Sequence, residues 1–360
     1  MTITRLSTRL LTGRLGRSWG AGVPHNHVVV VTVETDRGDR GTGFSWTPTI
    51  GARAVQALLE NDIADFVRGR DEAPEPLWDA LRNHLHEAGP GLATIAQAGL
   101  DLALWDLRAR RSGASLATHL GPRRDDVAVY GSGVNLHYPL DELVEQVRGW
   151  VAAGFDSVKV KVGRPDLAED VERISAVRDV LGPGRGLMID ANQRWDLPTA
   201  RRAIASLERF DLTWVEEPLC ADDLAGHRSL RAHTDVPVAL GENLHTVHRF
   251  HEFIAADAVD VVQPNIVRVG GLTPFRRIVE SARVRSVGVA PHLLHELSGQ
   301  VALTLAEPTA VEVVDGGQFA TMGLLAEPSP VTVDGGRLRG TGAPGLGLTF
   351  ADESPTVTDG

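Results

Sequence analysis

The sequence predicts a closed, eight-stranded α/β barrel preceded by a smaller region of mixed strand and helix. Three observations predict it. Beyond about residue 125, short apolar runs alternate with helical stretches. Eight such runs occur, enough parallel βα units to close a barrel. Before that point strand and helix patterns mix without regular alternation. The 360-residue chain is 42% hydrophobic, which suits a large and a small domain, each able to bury a core.

Val28–Glu34 reads as a strand and Gly38 to Gly43 as a turn. The pattern from Ala52 to Val67 is helical. Thr94 to Arg110 is a second helix, apolar on most sides and therefore buried, although it carries Asp101 and Asp106. Arg5, Arg9, Arg14 and Arg17 precede the first acid, Glu34, as in an organellar leader. Because this segment runs straight into a strand pattern, it reads instead as a strand with basic flanks.

The eight later runs are Val127–Tyr130, Ser157–Val162, Gly186–Asp190, Thr213–Glu216, Pro237–Gly241, Val259–Gln263, Val287–Pro291 and Val311–Val314. Helical patterns fill most gaps, such as Leu140–Ala153, Ala168–Val180, Thr199–Phe210 and Pro274–Arg285. The last 35 or so residues are rich in Gly and Pro and read as an irregular return segment.

A formal net charge of -11 argues against nucleic acid and anionic membranes as partners. An anionic substrate would need a local cationic centre, such as a metal. The single cysteine, Cys220, cannot form an internal disulfide, which points to a reducing cytoplasm. No apolar run approaches the roughly 18 residues of a membrane span.

Lysine and arginine total 36, yet the only lysines are Lys159 and Lys161. Arginine serves for surface charge but cannot lose a proton at usable pH. Two lysines kept side by side in an arginine-dominated chain point to chemistry that needs a titratable amine. In Ser157–Val162 the lysines share one strand face and the valines the other. Adjacent ammonium groups repel, so each is expected to lower the other's pKa and poise one as a general base.

In such barrels the active site lies at the C-terminal ends of the strands. The polar residues ending successive runs are Lys159 and Lys161, Asp190, Glu216, Glu242, Asn265 and His292, with Glu312 inside the eighth. From Lys161 they step by 29, 26, 26, 23, 27 and 20 residues, about one βα unit each, so they share one rim. Asp190, Glu216 and Glu242 offer three hard oxygen ligands, which favours Mg²⁺ over zinc. Glu217 adjoins Glu216 and competes with it as a ligand. His292 faces Lys161 across the ring, as a second acid or base. A metal, a base and a second acid or base suit removal of a proton alpha to a carboxylate, where negative charge builds on the carboxylate oxygens.

These residues carry a resemblance. Ala103-Leu-Trp-Asp106, Lys159-Val-Lys161, Asp190-Ala-Asn192, Val215-Glu-Glu-Pro218, Gly241-Glu-Asn243, Gly270-Gly271, His292-Leu-Leu-His-Glu296 and Pro344-Gly-Leu-Gly347 span nearly the whole chain in order. Together they resemble the enolase superfamily, in its mandelate racemase and muconate lactonizing enzyme-like branch. The resemblance implies a (β/α)₇β TIM-like barrel over 126–325 and an N-terminal α+β capping domain over 1–125, closed by a tail at 326–360. It implies Mg²⁺ on Asp190, Glu216 and Glu242, Lys161 as base and Lys159 as its helper and carboxylate contact. Asn192 would lie near the metal and substrate, Glu312 would hydrogen-bond a substrate carboxylate oxygen, and His292 would act on the opposite face. Cap loops around Trp19–His27, His25 included, would close over the substrate. His245, just after Glu242, either contacts substrate or lies behind the site.

One departure stands out. The branch usually pairs its histidine with an aspartate on the sixth strand, where this chain has Gln263-Pro-Asn265. Asn265 can orient the ring but carries no charge to stabilise an imidazolium. That fits a reaction started by Lys161, with His292 delivering a proton or assisting departure of a leaving group, better than a symmetrical two-base racemase. The expected activity is dehydration of a sugar acid, aldonate or aldarate, to a 2-keto-3-deoxy acid, by a homo-oligomer. A racemase, epimerase or lactone cycloisomerase would use the same enediolate. A non-catalytic carbohydrate-binding or regulatory barrel would have no use for the two lysines.

Overall fold

The computed structural model describes residues 1–20 and 22–355. It opens with an antiparallel meander of β1 (Ile3–Trp19), β2 (Val23–Thr35) and β3 (Arg40–Thr47). The arginine-bearing segment is β1, and Arg5, Arg14 and Arg17 lie on its solvated side. Gly38 alone takes the left-handed turn conformation, with φ 78°. Gly41 and Gly43 were expected in that turn but lie inside β3. A Cβ on Gly41 would sit 2.1 Å from the Ala103 carbonyl oxygen, and one on Gly43 2.3 Å from the Ala103 nitrogen. The glycines are there because a helix presses directly on the sheet.

Helix α1 (Ala52–Leu58) runs through a π-turn at Leu59–Ile63 into α2 (Ala64–Val67). It is followed by α3 (Pro74–His84), the 20-residue α4 (Leu92–Arg111) and α5 (Leu116–Leu120). Helix α4 is the one pressed on β3, and its buried acids have specific tasks. Asp106 accepts from the backbone of Thr42 in β3 (2.8 Å), from Leu346 in the tail (2.7 Å) and from Arg110 (2.7 Å). Asp101 accepts from Thr273, farther along the chain.

Eight parallel strands follow: β4 (Val127–Ser132), β5 (Ser157–Lys161), β6 (Gly186–Asp190), β7 (Leu212–Glu216), β8 (Val238–Leu240), β9 (Val261–Val262), β10 (Gly288–Val289) and β11 (Ala310–Val314). They pair in chain order from β4 to β10, and β11 returns beside β4. Between β10 and β11 the Thr309 hydroxyl donates to the Val289 carbonyl at 2.7 Å. Seven helices link them: α6 (Leu140–Ala152), α7 (Leu167–Leu181), α8 (Leu197–Leu207), α9 (Leu224–Arg231), α10 (Val247–Ala255), α11 (Leu272–Val284) and α12 (His295–Ala302). Side chains of Asp166, Asp196, Asp223 and Thr246 accept backbone N–H groups at the starts of α7 to α10. Each such cap is worth about 1 kcal/mol.

Strand alternation sorts the core. Val158, Val160, Ile189, Val215 and Val311 face the helices. Tyr130, Met188, Trp214, Ala239 and Ala290 fill the barrel interior. Lys159, Asp190, Glu216 and Glu312 have the inward parity; Lys159 is level with Met188 and Glu312 with Tyr130, and Asp190 and Glu216 stand one layer above.

The tail differs from the expected irregular return. Its first part is a hairpin, β12 (Val331–Asp334) and β13 (Arg337–Gly340), turned by Gly335 and Gly336 at φ 52° and 70°. β13 pairs antiparallel with barrel strand β4. Only beyond the hairpin does the tail reach the N-terminal elements, where Phe350 packs against Phe44 and Phe319. Positions 356–360 of the expected tail lie outside the described residues. Among the described residues no helix is long and apolar enough to cross a membrane.

Candidate active site

Both lysines end β5 and point into the barrel mouth. Lys159 is 1% exposed, with its Nζ 2.6 Å from Glu216 Oε1, 2.8 Å from Glu312 Oε1 and 3.6 Å from Asp190 Oδ2. Lys161 Nζ is paired with Asp190 Oδ2. The expected net lowering of the lysine pKa values is not what the site produces. Burial acts to lower both ammonium groups, and the Lys159 charge also acts to lower Lys161. Glu216 and Glu312 around Lys159, and Asp190 beside Lys161, outweigh this and hold both above the ordinary lysine range. The local pair of like charges was visible in the sequence; the carboxylates brought in from other strands were not.

Asp190 and Glu216 are register partners on neighbouring strands. Glu216 also accepts from Gln263 Nε2 (2.6 Å), and Asp190 Oδ1 from the Asn192 backbone (2.8 Å). Glu217, the competing acid, is buried and bound by Asn243 Nδ2 (2.9 Å) and Gln193 Nε2 (3.2 Å). Burial, then Glu242 and Asp190, push its carboxyl well above the usual range. Glu242 reaches His292 Nε2 at 2.6 Å. Glu312 spans the floor: one oxygen meets Lys159, the other accepts from the Leu293 backbone (3.1 Å) and lies 3.7 Å from His292 Nε2.

The carboxylates of Asp190, Glu216 and Glu312 therefore surround the two ammonium groups, with Glu217 and Glu242 held beside them by amides and His292. Among the described residues no three His, Cys, Asp or Glu side chains converge on one point at ligand distance. Asp190, Glu216 and Glu242 are each turned to a cationic or imidazole partner instead. The donor set still fits a hard divalent cation: it is all oxygen and short of positive charge.

The rim is locally strained. Of the eight non-glycine residues with positive φ among the described residues, Asn192, Gln193, Glu217, Leu293 and Leu294 lie within five residues beyond the ends of β6, β7 and β10. Such conformations cost on the order of 1–3 kcal/mol each and collect where side chains must be aimed.

Lys161, Asn192, Glu242, His292 and Glu312 line one cavity of about 220 Å³. Asn265 lies behind it, against His292. Trp19 at the end of β1, Gly20 in the turn after it and Val23 at the start of β2 also line it. Trp46, Pro48 and Arg268 were missed and also line it. Arg268 donates to the Glu242 carbonyl (2.9 Å) and to Asn243 Oδ1 (2.6 Å), with its guanidinium 5.9 Å from the centre of the Trp46 ring. A basic residue three beyond Asn265 was the available signal. Two expected contacts are not brought in. His25 sits in β2 opposite Arg14, outside the cavity lining. His245 lines a separate cavity with Trp78, Arg82 and Gln97, its Nδ1 3.3 Å from the Arg268 carbonyl. The chain turns after Glu242, so its near neighbour in sequence faces another way.

The model for the mandelate racemase / muconate lactonizing enzyme N-terminal domain matches residues 20–121. The model for the enolase C-terminal domain-like family matches residues 142–354, more than half of the chain. The chain belongs to the mandelate racemase / muconate lactonizing enzyme family. Within the family it is 36% identical over 324 residues to 3,6-anhydro-alpha-L-galactonate cycloisomerase of Streptomyces coelicolor, covering 89% of each chain. It is 39% identical over 276 residues to L-talarate/galactarate dehydratase of Salmonella typhimurium, covering 75% of this chain and 68% of that one. Its fold matches L-talarate dehydratase from Polaromonas sp. JS666, complexed with Mg and L-glucarate, at TM-score 0.89 and 36% identity. That match covers 98% of this chain and 95% of the other.

Proposed function

We propose that this member of the mandelate racemase / muconate lactonizing enzyme family is a Mg²⁺-dependent sugar-acid dehydratase. It removes the proton alpha to a carboxylate and expels the beta hydroxyl, giving a 2-keto-3-deoxy acid. The observation that carries this reading is the placement of Lys161 and His292 in one cavity, with the acids of β6, β7, β8 and β11 beside them. A binding protein has no need of a buried lysine pair ringed by acids.

Asp190, Glu216 and Glu242 would hold Mg²⁺, which when bound supplies Lewis-acid stabilisation of negative charge on the substrate carboxylate. Lys161, at the cavity wall, takes the alpha proton. Lys159 is too buried to meet the substrate carbon and serves as a fixed cation beneath the substrate carboxylate. Glu312 hydrogen-bonds a carboxylate oxygen, and Asn192 touches the alpha substituent. His292 works from the opposite face, oriented by Asn265. Carboxylate engagement by the metal would relieve the ion pair that now holds the Lys161 proton, freeing the amine to act as a base.

A second reading is favoured by the similarity to the Streptomyces coelicolor cycloisomerase: the same enediolate expels a ring oxygen rather than a hydroxyl. Residues 1–125 are assigned as a cap and 126–325 as the catalytic barrel, supported by the break between the two family matches. The exposed lone thiol of Cys220 suits a reducing cytoplasm, and the family resemblance supports a homo-oligomer.

Proton NMR in D₂O with Mg²⁺, sugar acids and their lactones tests the assignment. Loss of the alpha proton with a new deoxy-methylene signal is the expected result. Ring opening or epimer formation without loss of water would select the isomerase reading. Silence across a broad panel, in folded Mg²⁺-loaded protein, would remove both.

A further inference from the structure

Asn265 is fully buried, and its carbonyl oxygen accepts from the backbone of Val267 at 3.0 Å and of Arg268 at 3.1 Å. Backbone N–H groups only donate, so the oxygen must face them. The amide NH₂ is thereby directed at His292 Nδ1, 3.2 Å away. An NH₂ also only donates, so Nδ1 must present a lone pair. That leaves the ring hydrogen on Nε2.

We propose that Asn265 is a positioning residue that locks the His292 ring with Nδ1 as acceptor and its hydrogen on Nε2, so that Lys161 alone abstracts protons. An aspartate at position 265 would do the opposite: it would take the hydrogen on Nδ1 and leave Nε2 as a base. A proton added to Nδ1 here would meet the Asn265 NH₂. Turning the amide over would set that NH₂ against the N–H groups of Val267 and Arg268.

The consequence for the reaction rests on the proposed function; the tautomer does not. The Lys161 lone pair takes the alpha proton, and the C–H electrons form the enediolate. The enediolate electrons then form the alpha–beta double bond as the beta C–O bond breaks with its own pair on oxygen, and the resulting enol becomes the 2-keto-3-deoxy acid by proton transfer to the beta carbon. The Lys161 ammonium returns its proton to that oxygen, water leaves, and His292 stays hydrogen-bonded without gaining or losing a proton. Abstraction and protonation fall on one face of the substrate.

Nitrogen-15 NMR of histidine-labelled, Mg²⁺-loaded full chain tests the lock directly. The His292 signals are identified by their loss in His292→Gln, and ring correlations show which nitrogen bears the hydrogen. The expected result is Nε2–H in the wild type and a move to Nδ1–H in Asn265→Asp. With a reactive sugar acid and its alpha epimer in D₂O, the wild type should exchange the alpha proton of one epimer only. Asn265→Asp should speed exchange of the other by about a hundredfold. A wild-type ring bearing its hydrogen on Nδ1, or equal exchange of both epimers, overturns the proposal. If Asn265→Asp does not fold, the wild-type tautomer still decides. An Nε2–H ring in a protein that turns over no sugar acid would sink the functional reading and leave the lock standing.

Discussion

Asp101 of α4 accepts both the backbone N–H of Thr273, at 3.0 Å, and its hydroxyl, at 2.6 Å, at the first turn of barrel helix α11. The Trp105 indole donates to the same hydroxyl at 3.0 Å, and Trp78 donates to the Gly270 carbonyl at 2.8 Å. The acid thus caps a helix from another part of the fold. Burial pushes its carboxyl up to about 7, although the Thr273 bonds work the other way. The folded state therefore holds this proton more tightly than the unfolded chain, whose carboxyl titrates near 4. Stability contributed here is full below about pH 4 and declines as pH rises towards 7, by roughly 4 kcal/mol at most. Urea melts at pH 5 and 8 should show that slope in the wild type, and Asp101→Asn should flatten it. An unchanged slope in the variant would contradict this account of Asp101.

Gly271 makes the contact possible. It has φ 113°, and a Cβ there would stand 2.3 Å from Asp101 Oδ2. Gly271→Ala meets both backbone strain and that clash. It should lower stability by about 2–4 kcal/mol in denaturant melts. A neutral effect would mean that α4 and α11 are not held together as described.

Lys159 balances Glu216 and Glu312 in a fully buried setting. Lys159→Met leaves those carboxylates without their cation and should cost about 3–5 kcal/mol in metal-free protein. Under the proposed metal assignment, Mg²⁺ should raise the melting temperature of the wild type and raise that of Lys159→Met by more. Chelation should abolish turnover in both. Melts that ignore Mg²⁺ would count against the carboxylate ligands.

Arg268 and Lys161 are the only cationic side chains among the cavity-lining residues described. Two of the guanidinium's hydrogen bonds fix it to the Glu242 loop, which leaves donors free to meet a second carboxylate. Arg268→Met should raise KM for aldarates by about tenfold or more, and hardly alter KM for aldonates. Equal losses on both would assign Arg268 to holding the loop alone.

Much of the site was legible because barrel geometry converts sequence spacing into spatial neighbourhood. Lys161, Asp190, Glu216, Glu242, Asn265, His292 and Glu312 recur once per βα unit, and strand alternation faces Lys159, Asp190, Glu216 and Glu312 inward. What stayed hidden depended on long-range packing. The lysine environment is set by acids from β6, β7 and β11, so local like-charge reasoning gave the wrong direction. Gly41 and Gly43 look like turn glycines until α4 is seen lying on them. Arg268 and Trp46 come from a loop and an N-terminal strand that share no period with the rim. The β12–β13 hairpin did have a signal, Asp334-Gly-Gly-Arg337 between apolar runs, overshadowed by the surrounding glycines and prolines.

The most direct measurement is alpha-proton exchange of a turned-over sugar acid in D₂O with Mg²⁺, followed by proton NMR for wild type and Lys161→Arg. Arginine keeps the charge and the ion pair with Asp190 but cannot give up a proton. Exchange and product formation should fall together by about a thousandfold while the fold and its response to Mg²⁺ persist. Exchange in Lys161→Arg at close to the wild-type rate would show that the proton leaves through another group.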